Sequence, residues 1–357
     1  MTEVKVAFFT SFYTNKPHPR IVLETQILEQ NGYKTHVFQD NTSPGLWFLI
    51  FNFLSLKFFK WDKIFLYKKK IKSFDIVIIY DLSLLPLALF TSGKGQKVIY
   101  ETLDFNVDLV LYAIRGKFGF FKFFERFVRY LATTIEKKLV TKHVDYIIVN
   151  GYELKKYFNS EKCYVGLYSS PFESMECRQS PGLPKAFIYL GLFTADKGAL
   201  DAVDLSDRYK LPLFIFGNIT EKNVSAAITG KENIHFYERL SPEELKHAIS
   251  LLQSSFQLIG ISLIRPIHYS YEVQEANKEI DYLSLGIPFI GNNRTTTEEK
   301  IKAGCGAMVN DFNGINQLIN DQLFYNQHQT RSLQYYQHYY HSSIFTGQFL
   351  ALINEQG

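Results

Sequence analysis

The chain has 357 residues, too many for one ordinary core, so two domains of ordinary size are expected. Its 46% hydrophobic and 21% charged residues describe a soluble globular protein. Three widely spaced cysteines, Cys163, Cys177 and Cys305, exclude a disulfide framework or a paired-cysteine metal site and fit a reducing, cytoplasmic setting.

The formal charge of +4 hides an asymmetry. Residues 1–150 carry 21 Lys and Arg against 13 Asp and Glu, while the remaining 207 carry 18 against 22. Aromatics are abundant, with 32 Phe and 23 Tyr. A basic, Phe-rich first half suits an acidic or membrane-surface partner.

The opening "MTEVKVAFFTSFY" has no basic segment ahead of its apolar run and reads as a first strand, not a signal peptide. "KTHVFQ", "FDIVIIYD", "QKVIYE" and "VDYIIVN" follow as buried strands. Between them lie helical patterns such as Arg20 to Gly32, whose closing glycine is a helix stop. This alternation specifies a parallel sheet with helices on both faces. The longest apolar run, Leu46 to Leu56, falls short of the ~20 residues a membrane-spanning helix needs. Two stretches, Leu46 to Phe74 and Arg115 to Lys138, interleave aromatic rings with Lys and Arg, as membrane-surface helices do. Packing of the first domain's core is the plainer reading of the same residues, and no motif supports nucleic-acid binding.

The rhythm breaks at Ser169 to Lys185, rich in Pro, Ser and Gly, which reads as an interdomain linker. It restarts with "AFIYLGLF", "PLFIFGN", "NIHFYE", "FQLIGISL" and "PFIGNN". The expected organisation is therefore an α/β chain of two doubly wound Rossmann-like domains, 1–172 and 185–330. A helical tail, 331–357, is expected to pack back on the first domain. Ligands are expected in a cleft at the strands' carboxyl ends.

Two motifs lie in the second domain. In "EANKEIDYLSLGIPFIGNN", Asn277 and Asp281 are four apart and share a helix face. Gly286 can adopt the left-handed cap, and Pro288 bars further helix. Lys278 opposes the dipole at the helix start, which a nearby anion would relieve. Phosphates at the helix start and Asp281 on a ribose diol would account for the pattern; a solvated polar face is the plain alternative. In "YLGLFTADKGALDAVDL", Gly191 permits a tight turn after a strand. Lys197 can reach phosphate there, and Gly198 opens a helix whose first amides point at an anion.

Together these segments resemble the GT-B glycosyltransferases, in particular the retaining family 4 and its relatives. The resemblance spans roughly residues 1 to 325. By it, Asp281 would hold the donor's ribose, while Lys197, Gly191 and Gly198 would cradle its diphosphate and Asn277 and Lys278 would lie near the phosphates. The family's usual Arg after the first Gly is Leu192 here, and its Glu eight residues before the acid is Val273, flanked by Glu272 and Glu275; of these, Glu275 is taken as a substrate-binding candidate. "HPRIVLETQILEQ" is similar to a segment usually starting Asp-Pro-Arg, so His18 and Arg20 become candidate substrate contacts. "VIYETLDF" is similar to a segment usually ending His-Glu; Leu103 and Asp104 stand there, leaving Glu101 and Asp104 as candidate catalytic carboxylates. "CGAMVNDFN" also has a family counterpart, in which Cys305 is structural. Of the histidines, His18 and His268 fall in loops expected near the cleft.

The resemblance implies retaining transfer of a sugar from a nucleotide donor to a glycan or polyprenyl-diphosphate-linked acceptor. It would serve bacterial capsule, O-antigen or lipopolysaccharide assembly, in the cytoplasm at the inner face of the plasma membrane. No cofactor, no metal and no nucleic acid is expected. Three alternatives stay open: a catalytically degenerate nucleotide-sugar binder, a GT-B-fold sugar-nucleotide epimerase, and a membrane-surface scaffold.

Overall fold

The structure, a computed structural model, describes residues 3–11, 18–39, 58–91, 95–115, 125–173, 175, 182–238, 240–267 and 269–355. Cys177, His268, the aromatic stretches 46–57 and 116–124, and residues 176–181 of the expected linker lie outside these residues. The chain divides into two units. One comprises Met1–Leu167 with Thr346–Gly357, the other Tyr168–Phe345.

Unit 1 holds six parallel strands: β1 (Lys5–Thr10), β2 (Lys34–Gln39), β3 (Ile76–Tyr80), β4 (Lys97–Thr102), β5 (Tyr146–Val149) and β6 (Cys163–Val165). Their order is β2-β1-β3-β4-β5-β6. All five residues of β3 are buried, as a parallel strand covered on both faces requires, whereas the edge strand β2 is largely exposed. The helix Pro19–Gln30 starts with Pro at its first turn, where the missing N–H costs nothing, and runs out at Asn31 and a left-handed Gly32. The helix end Leu352–Glu355 is tied to this unit, where the Lys97 ammonium donates to the carbonyls of Leu352 and Ile353 at 3.1 and 2.9 Å.

Unit 2 repeats the scheme with β7 (Lys185–Leu190), β8 (Leu213–Phe216), β9 (Ile234–Tyr237), β10 (Gln257–Ser262), β11 (Phe289–Gly291) and β12 (Gly306–Met308), in the order β12-β11-β10-β7-β8-β9. All six are parallel neighbours; for example, Phe187 pairs with Ile259 on one side and Leu213 on the other. Phe187, Tyr189, Ile215, Ile259, Ile261 and Ile290 form the centre of its core. The chain winds outward from β7 to β9, then returns to β10 on the other side of β7. The loops leaving β7 and β10 therefore diverge around a crevice, the topological switch point where doubly wound sheets bind ligands. The expected linker begins inside this unit, since Ser169 and Ser170 are buried in it.

The basic aromatic stretches divide between core and surface. Phe58, Ile64, Tyr67 and Ile71 are core, while Phe65 and Leu66 are exposed. In the helix Glu125–His143, Phe127, Tyr130 and Leu131 are exposed at i, i+3 and i+4 spacing, a shared helix face. Among the described residues no helix is long and apolar enough to cross a membrane.

Candidate functional site

The site is built on two turns of unit 2. The first leaves β7. Gly191 has φ +99°, and its N–H donates to the Phe216 carbonyl at 2.9 Å, which binds the turn to the end of β8. The approach is close enough that a Cβ added to Gly217 would lie 1.8 Å from the Gly191 carbonyl oxygen. A 3-10 turn, Ala195–Lys197, follows, then Gly198 at φ +81° and the helix Ala199–Tyr209. A Cβ at Gly198 would meet the Leu263 carbonyl oxygen at 2.3 Å, so glycine is demanded both by the left-handed backbone and by contact with the chain leaving β10. The buried Tyr189 hydroxyl spans the turn from within, at 3.0 Å from the carbonyl oxygens of both Leu192 and Lys197. The Lys197 ammonium stands 4.1 Å from the Tyr271 ring centroid, and Leu192 is exposed.

The second turn begins the helix Asn277–Ser284. Its end is a Schellman cap: Gly286 has φ +60° and donates to the Leu283 carbonyl, while Ile287 donates to that of Tyr282. Ala276 at the N-cap offers no side-chain acceptor, and Asn277 is exposed. Lys278 instead turns inward. Its relative exposure is 9%, and its ammonium nitrogen sits 3.6 Å from the Tyr189 ring centroid with no hydrogen-bond partner among the described residues. Burial first, then the charge of Lys197, pushes the Lys278 amine well below the ordinary lysine range; Arg294 adds to this, and Glu279 and Asp196 oppose it. The two lysines thus interact electrostatically.

Asp281, one turn further on, is partly buried and accepts hydrogen bonds from the Ser170 hydroxyl at 2.8 Å and from the Tyr168 hydroxyl. Burial pushes its carboxyl up to about 7, against the lowering effect of those two bonds. Neither partner is legible from sequence, because both belong to the Pro- and Ser-rich segment or its edge, more than a hundred positions away.

Glu275 does not project freely toward a ligand. Its carboxylate accepts from the Lys300 ammonium at 2.6 Å, and Lys300 also reaches Glu279 at 3.1 Å. Glu279 is fully buried and gathers Arg294 at 3.3 Å, Ser262 at 2.8 Å and Thr297 at 2.7 Å. Its own burial opposes ionisation, but Lys300 and Arg294 outweigh this and hold the carboxyl below its ordinary range. This network fixes the 277–284 helix to β10 and to the helix Thr295–Lys302. Val273 is buried beside it.

In unit 1 the candidates fall inside the fold. The Arg20 guanidinium lies 2.7 Å from Glu24 and 3.0 Å from Glu101, and it donates to the Leu167 carbonyl at 3.0 Å. Arg20 is 3% exposed and both carboxylates are wholly buried. Burial, then the charge of Glu101, raises the Glu24 carboxyl well above its ordinary value. The sequence reading makes Arg20 a substrate contact and Glu101 a catalytic carboxylate; the structure places both in a buried ion network with Glu24. Glu24, unremarked in the sequence, is its third member. His18 caps the helix Pro19–Gln30, its Nδ1 accepting from the Arg20 N–H at 3.2 Å, and burial lowers its imidazole from the usual value. The Asp104 carbonyl accepts from the Thr102 hydroxyl and the Asn106 N–H, both at 2.9 Å. The free thiols Cys163 and Cys305 are buried and pushed up to about 12, which leaves them unreactive. Among the described residues no cluster of three or more His, Cys, Asp or Glu could hold a metal ion.

No protein-family model matches the chain, and no curated protein matches it in sequence. Solved structures do match in three dimensions. Sucrose-phosphate synthase from Thermosynechococcus elongatus superposes with TM-score 0.68 at 11% identity, covering 98% of each chain. The fold is GT-B. Anabaena HepE in complex with UDP gives 0.65 at 12% identity, covering 98% of this chain and 99% of that one. A UDP-forming α,α-trehalose-phosphate synthase from Burkholderia vietnamiensis gives 0.62 at 10%, covering 99% and 100%. At such identities the likeness is one of fold.

Within the GT-B fold, the arrangement in unit 2 offers a glycine-lined turn, a helix start and two lysines at the switch point. An acid follows one turn beyond Lys278. Such a set can take an anionic group against the turn and a polyol beside the acid.

Proposed function

We propose that this chain is a glycosyltransferase that moves a sugar from a nucleotide-sugar donor to a glycan or lipid-linked saccharide acceptor. One observation carries the reading: at the switch point of unit 2 the enclosed Lys278 ammonium, against the Tyr189 ring, feels the charge of Lys197, whose own ammonium stands over Tyr271. Fold neighbours described as bound to UDP or as UDP-forming support a nucleotide at such a place.

The donor's diphosphate would rest on the amides that start the Ala199–Tyr209 helix and on Lys197. Asp281 would take the ribose hydroxyls as acceptor, exchanging or sharing the hydroxyls of Tyr168 and Ser170. As the bond from sugar to phosphate breaks, the diphosphate gains negative charge and the sugar gains oxocarbenium character. Fixed cations and a helix dipole beside the leaving group lower that barrier without reorganising. In this reading the positive field needs no metal. Retention of anomeric configuration, membership of the family 4-like group and a role in bacterial surface polysaccharide synthesis rest on the motif resemblance.

We assign the acceptor to unit 1 and place the enzyme on the inner membrane surface. Exposed Phe127, Tyr130 and Leu131 beside Arg126 support that assignment, since rings insert into the bilayer interface while cations meet head groups. A second reading, a nucleotide-sugar binder without turnover, is favoured by Leu192 and Val273 at two positions where the resembled enzymes carry charge. Release of nucleoside diphosphate from a panel of UDP-, GDP-, ADP- and dTDP-sugars decides between them. Turnover above background that is lost in Lys197→Ala supports transfer; binding without any release supports the second reading. Product analysis with no acceptor present separates transfer and hydrolysis from epimerisation.

A further inference from the structure

We propose that unit 1 carries a saccharide-binding groove, between its edge strand β6 and residues 348–355, that takes a neutral glycan chain against the Tyr164 ring. The inference goes beyond the donor-site reading, since the groove lies in the other unit and its test does not require a nucleotide to bind.

The groove encloses about 560 Å³ and is lined by Tyr164, Gln348, Ala351, Leu352, Asn354 and Glu355. Small-ligand sites span about 300–1,000 Å³. β6 pairs only with β5, and on this open edge Tyr164 is 36% exposed. Gln348, Ala351 and Leu352, then Glu355 just past the end of the helix Ser342–Asn354, are spaced i, i+3, i+4 and i+7 and share one face. Leu352 is buried and forms the floor, while the short Ala351 side chain keeps the groove open between Gln348 and Glu355.

The walls are fixed in advance. The Lys97 ammonium donates to the carbonyls of Leu352, Ile353 and Glu355, which satisfies the helix's terminal acceptors and holds its end on the sheet. The Tyr146 hydroxyl hydrogen-bonds the Glu355 carboxylate. The Tyr146 ring meets that of Tyr164 at 5.9 Å and 61°, an edge contact that orients the exposed ring. The Tyr33 hydroxyl donates to Asn354 Oδ1 and orients that amide. Little ordering is left to be done when a ligand arrives.

A pyranose has a face of C–H groups and a rim of hydroxyls, each both donor and acceptor. Tyr164 offers a flat ring to the face. The Gln348 and Asn354 amides and the Glu355 carboxylate offer donors and acceptors to the rim. The six lining residues include no Lys, Arg or His, so the groove is not built for a phosphate. Three polar side chains among the six disfavour an acyl chain, which could not pair with them. Lys97 and Tyr146 begin β4 and β5, so the groove lies at the amino end of these strands. Reacting ligands of doubly wound domains sit at the carboxyl end. A glycan held here is gripped along its length, away from the sugar that reacts.

Saturation-transfer NMR titrations of the full chain would use maltohexaose, cellohexaose, mannohexaose and chitohexaose. At least one should bind the parent protein. Tyr164→Ala should weaken that binding about tenfold or more, as truncation of a central aromatic does, whereas Tyr164→Phe should retain it. Ala351→Arg, at an exposed helix position, fills the groove without removing a contact and should weaken binding as much. Circular dichroism of each variant checks that the fold persists; a merely structural Tyr164 would lower stability and leave Ala351→Arg binding as the parent does. The inference is overturned if none of the four oligosaccharides binds, or if both Tyr164→Ala and Ala351→Arg bind as tightly as the parent. Nucleotide-sugar binding, measured on the same samples, tests the donor reading separately, and failure of either leaves the other standing.

Discussion

Glu279 gives the sharpest prediction about what holds the site. Its carboxylate is wholly buried and meets two cations and two hydroxyls: Lys300 at 3.1 Å, Arg294 at 3.3 Å, Ser262 at 2.8 Å and Thr297 at 2.7 Å. Glu279→Ala leaves Arg294 and Lys300 buried with Glu275 as the nearest remaining carboxylate. Removing one partner from a buried ion pair costs about 3–5 kcal/mol, and retained contacts to Glu275 place the expectation at the lower end, about 3 kcal/mol. Both tryptophans, Trp47 and Trp61, belong to unit 1. Urea unfolding followed in parallel by tryptophan fluorescence and far-ultraviolet circular dichroism therefore separates the units. The loss should appear in the transition that fluorescence does not report. The pH dependence has a definite sign. The folded-state pKa of Glu279 is depressed, so its stabilisation is present above its unfolded value of about 4.5 and lost as pH falls through the folded value. Glu279→Gln should lack that acid-side decline. A loss below about 1 kcal/mol, or one confined to the fluorescence transition, would refute the reasoning.

Asp281 should behave oppositely. Its folded pKa of about 7 lies above the ordinary aspartate value of 3.8, so its stabilising contribution is complete below about pH 4 and lost as pH rises through 7. Asp281→Asn should match the parent near pH 4 and exceed its stability well above pH 7 by on the order of 4 kcal/mol, read from the same unfolding curves. Gly198→Ala adds a Cβ to a left-handed residue against the Leu263 carbonyl; a loss of about 2–3 kcal/mol in unit 2, with weakened nucleotide-sugar binding, is expected from denaturation and calorimetry. Replacing Phe127, Tyr130 and Leu131 together by Ser should reduce co-sedimentation with phosphatidylserine-containing vesicles at low salt at least tenfold while leaving donor binding unchanged. Undiminished sedimentation would remove that helix from the membrane account.

Much of the architecture is local and therefore legible. Runs such as "IVIIY" are apolar because both faces of a parallel sheet are covered, and Gly32 and Gly286 end their helices with left-handed backbones that sequence alone suggests. The three-residue strands β6 and β12 are too short to establish a period, and the sequence reading does not single them out. The site was legible where one turn supplies it. Gly191, Lys197 and Gly198 are contiguous, and the 277–284 helix announces its own cap. What stayed hidden is pairwise and distant: Asp281 with Ser170, Lys278 with Tyr189, Arg20 with Glu101. Charge type does not reveal partners. Arg20 and Glu101 read as loop chemistry, yet burial makes each the other's counter-ion; Glu275 reads as sugar-facing, yet Lys300 claims it. Lys278 reads from the sequence as a phosphate neighbour at a helix start; its enclosure without a hydrogen-bond acceptor among the described residues is what the sequence does not reveal.

The central claim is that unit 2 grips the diphosphate and ribose of a nucleotide sugar. Its most direct test is the unfolding of unit 2, followed by circular dichroism, against UDP-, GDP-, ADP- and dTDP-sugars, in the parent protein and in Asp281→Ala. At a hundredfold excess over the dissociation constant, one donor should stabilise the parent by about 2.7 kcal/mol, and the substitution should remove most of that. If none of the donors shifts the transition, or if Asp281→Ala responds as the parent does, the account is contradicted.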